Sequence, residues 1–465
     1  MEKSESLPVD EKHATTPRNR PWKRRGLDAV IFVIVLILIA SVIRFSEIKT
    51  LFSVGPKRVC NASLTVQGRA AKILRENPLI DGHNDLMIMI RGRYQNHIYN
   101  ASDRDFTTKF ENGGLDLHVD IPRLEKGMQG GAFWSAFWPC PLGDETNFAD
   151  ERYHDIVTFT LGQLDLFARL GQTYPKYFTP SKNSAQATQS FEENGRFIAP
   201  AAIEGLHQIG NSLSTLRLYH QLGVRYATLT WNCHNKYADA AIETDASFKA
   251  HIAKPYWHGL SPAGRDLVKE MNRMGMLVDL AHVSQDTMRD VLVGKNDGSD
   301  WNGSIAPPFF SHSSAYALCP HPRNVPDDVL QLVKQRNSLV MVNFNPEFVS
   351  CRAGKTAEDF PEFVPANNTL QHVVRHIRYI GELIGYEHVG IGSDYDGIDR
   401  TPEGLEDVSK FPDLVAELLM QGISDEDVAK IVGRNLLRVW AEADRVSGEL
   451  QKSMLPLEDD VQNKW

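Results

Sequence analysis

The chain predicts an α/β fold, an eight-stranded parallel (β/α)8 barrel over residues 70–465, preceded by a single transmembrane helix. Three observations predict it. Eight short β-rich apolar runs recur between residues 78 and 393. Amphipathic helical patterns separate most of them. A histidine or a carboxylate stands at or just past the ends of five of the runs.

The runs are 78–82, 132–138, 197–203, 224–230, 276–281, 305–310, 339–344 and 388–393. Among the helical patterns, Asp150–Leu170 is one, and Pro262–Met274 is a second, with Ser261 as N-cap and Pro262 at the first helical position. Leu370–Ile384 is a third, and Ser424-Asp425-Glu426-Asp427 opens another through a capping-box-like start. The histidines His220, His372 and His376 fall in helical segments and read as surface residues. An open doubly wound sheet is the rival architecture, but GxGxxG is missing from the first turn. Gly354-Lys355-Thr356 lacks the upstream glycine of a P-loop, because Val349 stands there, and GxSxG is absent too.

The N-terminus has a different character. Residues 1–25 are polar and end in Arg18, Arg20, Lys23, Arg24 and Arg25; the uncharged apolar stretch Ala29–Ile43 follows. This reads as a cytosolic basic tail (1–25), an uncleaved signal anchor (26–45), a stalk (46–69) and a barrel outside the cytosol, extracellular or luminal. A cleaved signal peptide is the rival, weakened by the long polar lead and by the lack of a small-x-small site. The glycosylation tripeptides at Asn61, Asn100, Asn302 and Asn367 all lie past the span, as do Cys60, Cys140, Cys233, Cys319 and Cys351. No cysteine spacing suggests a zinc knuckle, and the odd count leaves one thiol over. A net charge of −9 argues against a nucleic-acid partner.

The chemistry gathers at the run ends. In Asp81-Gly82-His83-Asn84-Asp85, a histidine and a carboxylate two residues apart at a strand end face the same side. Glu204, His282, His312 and Asp394 follow later runs. In a barrel these positions share one C-terminal face. His83, Asp85, Glu204, His282 and His312 offer nitrogen and oxygen donors suited to zinc-like ions. Three histidines and two carboxylates exceed what one catalytic zinc uses. They suit two metals sharing Glu204, an arrangement that activates water and polarises a carbonyl. His207, near Glu204, is as well explained by structure as by function.

These residues carry a resemblance. Asp81–Leu86, Ile203-Glu204-Gly205, Asp279–Ser284, Phe310–Tyr316, Arg323–Asp328 and Pro402–Val408 resemble, in order, the motifs of the membrane (renal) dipeptidase family. The resemblance implies a TIM-type barrel of the metal-dependent hydrolase kind and a zinc metallopeptidase. Such an enzyme hydrolyses the peptide bond of dipeptides with a metal-bridging hydroxide. It implies two zinc ions per chain, with His83 and Asp85 on one, His282 and His312 on the other, and Glu204 bridging. It implies that Arg323 holds the substrate carboxylate, that Asp394 carries a proton to the leaving amine, and that Cys140 pairs with Cys233 and Cys319 with Cys351. The expected partners are a dipeptide, the membrane reached through the N-terminal span, and a second copy in a homodimer. One departure concerns the substrate: the family histidine after Thr-Leu-Thr is Trp231 here, so either His234, the nearest histidine, takes its place from a shifted loop or the substrate contact has changed. The other is the anchor, which is N-terminal here, whereas mammalian relatives carry a C-terminal lipid. Two further readings stay open. One is a specialised pathway enzyme trimming Cys-Gly-type conjugates, and the other is a non-catalytic metal-binding barrel.

Overall fold

The computed structural model describes residues 64–99, 105–143, 146–245, 247, 249–295, 297–356 and 359–459. The predicted tail and span, most of the predicted stalk, Cys60, Asn61 and Asn100 lie outside the described residues. Among the described residues, no helix is long and apolar enough to cross a membrane.

Eight parallel strands form one sheet in sequence order: β1 (Leu79–Asn84), β2 (Gln129–Ala136), β3 (Ala201–Glu204), β4 (Val224–Thr228), β5 (Leu277–Asp279), β6 (Phe309–Phe310), β7 (Leu339–Val342) and β8 (Val389–Ile391). Each falls on or overlaps one predicted run. The sheet curls until its last strand returns to its first. The seam closes through a bridge between Asn84 and Tyr395, with Asp85 N donating to the Tyr395 carbonyl at 2.9 Å and Asp394 N donating to the His83 carbonyl at 3.1 Å. This is the predicted TIM-type barrel, nearly closed by its ladder and completed by loop backbone.

Prolines trim two of the runs. Pro307 and Pro308 offer no N–H to a neighbour, so only Phe309 and Phe310 of the run 305–310 join the ladder. Pro200 likewise delays β3 to Ala201.

The predicted helices form. Pro262–Met274 is capped by the Ser261 side chain, which accepts from Gly264 N. His154–Thr173 follows a 3-10 turn at Asp150–Tyr153. The helix begun at Ser424 runs through a π turn, Lys430–Arg434, into Asn435–Leu450. Inside that turn Gly433 lies so close to the Pro78 carbonyl that any Cβ would collide with it. The bare backbone thereby lets the C-terminal helix seat under β1.

Inward-facing Ile80, Phe133, Ala202, Tyr226, Leu277, Phe309 and Leu339 form one buried cluster with Leu436, Val439 and Trp440 of that helix. The barrel is therefore filled below and polar above. A separate, larger cluster lies between the strands and the helices. At about 25 cal/mol per Å² of apolar surface, both are dominant stabilising terms.

One helix reading needs correction. His376 is buried, not exposed. It sits in register with Val373 and Ile380 on the apolar face of Leu370–Ile384. Its Nδ1 accepts from Ala315 N at 3.1 Å and its Nε2 donates to the Val349 carbonyl at 2.9 Å, so it ties two active-face loops together. His220 and His372 are partly exposed.

Candidate active site

His83, Asp85, Glu204, His282, His312 and Asp394 converge at the C-terminal mouth of the barrel. Glu204 Oε1 lies 3.7 Å from His83 Nε2, 2.8 Å from His282 Nε2 and 3.5 Å from His312 Nε2. His83 Nε2 is 3.0 Å from Asp85 Oδ2. Two triplets have ligand atoms close enough to share an ion, His83–Glu204–His312 and His83–Asp85–Asp394.

Each histidine is held by its other nitrogen. His83 Nδ1 lies 2.6 Å from the Tyr226 hydroxyl, which donates to the Gly82 carbonyl at 3.2 Å. His282 Nδ1 lies 2.9 Å from Asn232 Oδ1. His312 Nδ1 lies 2.8 Å from Ser311 Oγ, whose proton goes to Asp279 Oδ2 at 2.7 Å. In every case the partner accepts from Nδ1–H, which turns Nε2 toward Glu204. Anchoring of this kind is what metal-ligating histidines need.

The electrostatics agree. Burial, with Arg323 and His83 nearby, drives His282 well below its ordinary value; burial does the same to His312. Both are therefore neutral donors. Burial lowers His83 too, but Asp85, Glu204 and Asp394 outweigh it and raise the ring to about 10. Burial pushes Glu204 well above the usual carboxylate range and Asp394 to about 6. A sealed group of carboxylates that holds a proton on a neighbouring imidazole is one that calls for cations. With nitrogen and oxygen donors only and, among the described residues, no partner for the buried Asp85 Oδ1, the set fits zinc-like ions.

Local backbone is strained to build this face. His282 and Asp394 both sit at φ 66, in the left-handed region that costs a non-glycine residue energy. Asp81, inside β1, accepts from Ser393 N at 2.7 Å and from the Ser393 hydroxyl, which pins the Asp394 turn across the seam. Asn343 Nδ2 donates to Asp394 Oδ2 at 3.1 Å. Any Cβ at Gly397 would strike the carboxylates of Asp85 and Asp394, so glycine lets the turn close over them.

A pocket of about 320 Å³ opens above these groups, lined among others by Trp231, Phe137, Ile242, Arg323, Phe348 and Asp394. Arg323 is 1% exposed, its three guanidinium nitrogens have no hydrogen-bond partner among the described residues, and its carbon lies 5.2 Å from the Phe348 ring centre. Burial lowers it only to about 10, so it stays charged. A larger hollow of about 620 Å³ lies by the start of β2, among Arg75, Gln129 and Lys176, and gathers none of the candidate ligands.

Trp231 lines the pocket, with its ring centre 4.8 Å from that of Phe137. His234 does not: its Nε2 donates to the Lys254 carbonyl at 2.8 Å and its Nδ1 accepts from Ala240 N at 3.0 Å, so it is spent on holding its own loop. His207 donates to the Trp138 carbonyl at 2.7 Å and is structural. Cys140–Cys233 and Cys319–Cys351 are disulfides, with Cα atoms 6.1 and 4.8 Å apart. Asn302 and Asn367 are exposed. Sequence reading missed Tyr226, Asn232, Asp279, Ser311 and Asn343. Asp81 and Asp279 carried a visible signal, since a carboxylate inside an apolar strand requires a buried partner.

Comparison with known proteins decides the family. The sequence model described as "Membrane dipeptidase (Peptidase family M19)" matches residues 67–454. The chain belongs to this dipeptidase family. It is a hydrolase, and the non-catalytic reading falls. Among curated relatives, dipeptidase aclJ of Aspergillus oryzae is 45% identical over 391 residues, 84% of this chain and 83% of the relative. Dipeptidase tcpJ of Claviceps purpurea is 42% identical over 386 residues, 83% of this chain and 81% of the relative. Among solved structures, the probable dipeptidase PvdM of Pseudomonas aeruginosa matches with TM-score 0.65 at 20% identity, covering 82% of this chain and 99% of that one. A Rhodobacter sphaeroides metallo peptidase, solved with a phosphinate mimic of L-Ala-D-Ala, matches with TM-score 0.62 at 23% identity, covering 79% and 99%. At these identities the two structures speak for the fold.

Proposed function

We propose that this family member hydrolyses dipeptides with two zinc ions. His83 and Asp85 would hold one, His282 and His312 the other, and Glu204 both. The observation that carries the reading is the convergence of three Nε2 atoms on one Glu204 oxygen, beside a buried arginine that is hydrogen-bonded to none of the described residues. When bound, such a metal pair lowers the pKa of a water and polarises a carbonyl oxygen.

The chain's own residues do the rest. Arg323 pairs with the free carboxylate of the dipeptide, because a guanidinium fork matches a carboxylate. Binding that end lays the scissile amide over Glu204. Asp394, pushed up to about 6, takes the proton of the attacking water near neutral pH and returns it to the leaving amine. Asn343 keeps its carboxylate oriented for both transfers.

A second reading concerns the substrate. The aromatic wall of Trp231 and Phe137 favours dipeptides with a bulky apolar substituent, of which S-substituted Cys-Gly is one class. Turnover of a panel of free dipeptides, their C-terminal amides and S-alkyl Cys-Gly by the zinc-loaded chain tests both. Cleavage of free dipeptides alone supports the main reading. A marked preference for the S-substituted class supports the second. Turnover of none of them refutes both.

A further inference from the structure

Asn232 borders the pocket directly after Trp231 and contacts the candidate metal face with one end of its amide only. Oδ1 lies 2.9 Å from His282 Nδ1. An amide oxygen accepts and never donates, so His282 carries its proton on Nδ1 and turns its Nε2 lone pair to the space it shares with Glu204, 2.8 Å away, and His312, 3.1 Å away, where a metal ion would sit. Turning the amide over would present Nδ2–H to Nδ1 and force the proton onto Nε2, which would then donate to Glu204 and have no lone pair for a metal ion. The contact thus fixes the amide as well as the imidazole. Nδ2, the remaining end, makes no hydrogen bond to any described residue, and Asn232 lines the pocket together with Glu204, His282 and Arg323.

The segment holding it is rigid. The Asn232 carbonyl accepts from Thr244 N at 3.2 Å, and Trp231 and Cys233 pair across it. Cys233 is locked to Cys140. A polar N–H2 group, fixed in a partly buried pocket and left without a partner, is a preorganised donor. Such donors act on charge that develops during reaction, with little reorganisation.

We infer that Asn232 serves both partners of the reaction: Oδ1 sets the His282 tautomer that binds metal, and Nδ2–H donates to the carbonyl oxygen of the scissile amide as it gains charge. The donor half rests on the dipeptidase reading above; the tautomer half does not.

Two variants separate the halves. Asn232→Asp keeps an acceptor for His282 Nδ1 and removes the donor. Asn232→Ala removes both. Zinc affinity is read by competition with a chromogenic chelator, and turnover on a free dipeptide that the wild type cleaves, with thermal melting to confirm folding. Asn232→Asp should hold zinc within about threefold of wild type while kcat falls about 100-fold and KM changes little. Asn232→Ala should also weaken zinc binding by about 10–100-fold. Wild-type kcat in Asn232→Asp overturns the donor role, and wild-type zinc affinity in Asn232→Ala overturns the tautomer role. A wild type that binds zinc but cleaves no dipeptide refutes the functional reading and the donor role with it. The chelator result then still decides the tautomer role.

Discussion

Converting the C-terminal carboxylate of a dipeptide to an amide removes one negative charge and little else. Arg323 is where the structure makes that charge matter. The guanidinium is 1% exposed and its three nitrogens have no hydrogen-bond partner among the described residues, so the protein leaves its charge incompletely solvated. Burial has moved it from 12.5 to about 10, which at about 1.4 kcal/mol per unit is roughly 3 kcal/mol of unrecovered charge solvation. An incoming carboxylate recovers it. Truncating one partner of a buried charge pair costs about 2–5 kcal/mol in general, so the two estimates agree. The expected loss in kcat/KM on amidation is therefore about two orders of magnitude. The assay compares each dipeptide with its amide in wild type and in Arg323→Ala. The variant should lose a similar factor on the free acids and little on the amides, so the two changes are not additive. Amides cleaved as fast as free acids by the wild type would refute the carboxylate anchor, and the assignment would retreat to a broader amide hydrolase.

Three other outcomes follow from the same structure. The Cys319–Cys351 bridge closes a separation of 32 residues that contains Arg323 and Phe348, so the double serine variant should lose about 3–4 kcal/mol by loop-closure entropy, read as a lowered urea midpoint, and lose kcat/KM as well; an unchanged midpoint contradicts this. Burial holds His207 and His376 down at about 4, so the unfolded chain takes up protons first as pH falls: the stability present above pH 6.5 should decline towards pH 4 by about 3 kcal/mol for each, and His376→Gln should show the shallower decline in denaturant titrations. Finally, the basic residues before Ala29–Ile43 predict a single-pass anchor with exposed Asn302 and Asn367 glycosylated outside the cytosol; terminal sequencing that finds a mature start beyond residue 43 would mean a cleaved signal peptide instead.

The barrel was legible in the sequence because each strand is a local apolar run, and local runs survive folding. Their lengths were less so, since Pro200 and Pro307-Pro308 take N–H groups out of the ladder in ways that apolar count alone conceals. The candidate ligands could be read because barrel topology sends every strand end to one face. What holds them could not. Asp81 grips Ser393 across 312 residues, Thr228 on β4 and Ser311 just past β6 meet on Asp279, and Asn232 reaches His282 from 50 residues away. Such pairings are properties of closure, invisible to periodicity. His234 shows the converse error: it stood nearest in sequence to the missing family histidine, but a disulfide and two backbone bonds turn its loop to another use. Helical position misled for His376, although its register with Val373 and Ile380 already put it on the buried face.

Metal chemistry at Glu204 is the centre of the proposed mechanism, and one titration tests it. The chain is stripped with a chelator and zinc is added back while free-dipeptide turnover and bound metal are measured together, in wild type and Glu204→Gln. Turnover should rise with zinc and saturate near two ions per chain, with Glu204→Gln binding weakly at both sites and turning over little. Full turnover by metal-free protein, or saturation at one tightly bound ion that Glu204→Gln leaves undisturbed, would contradict it.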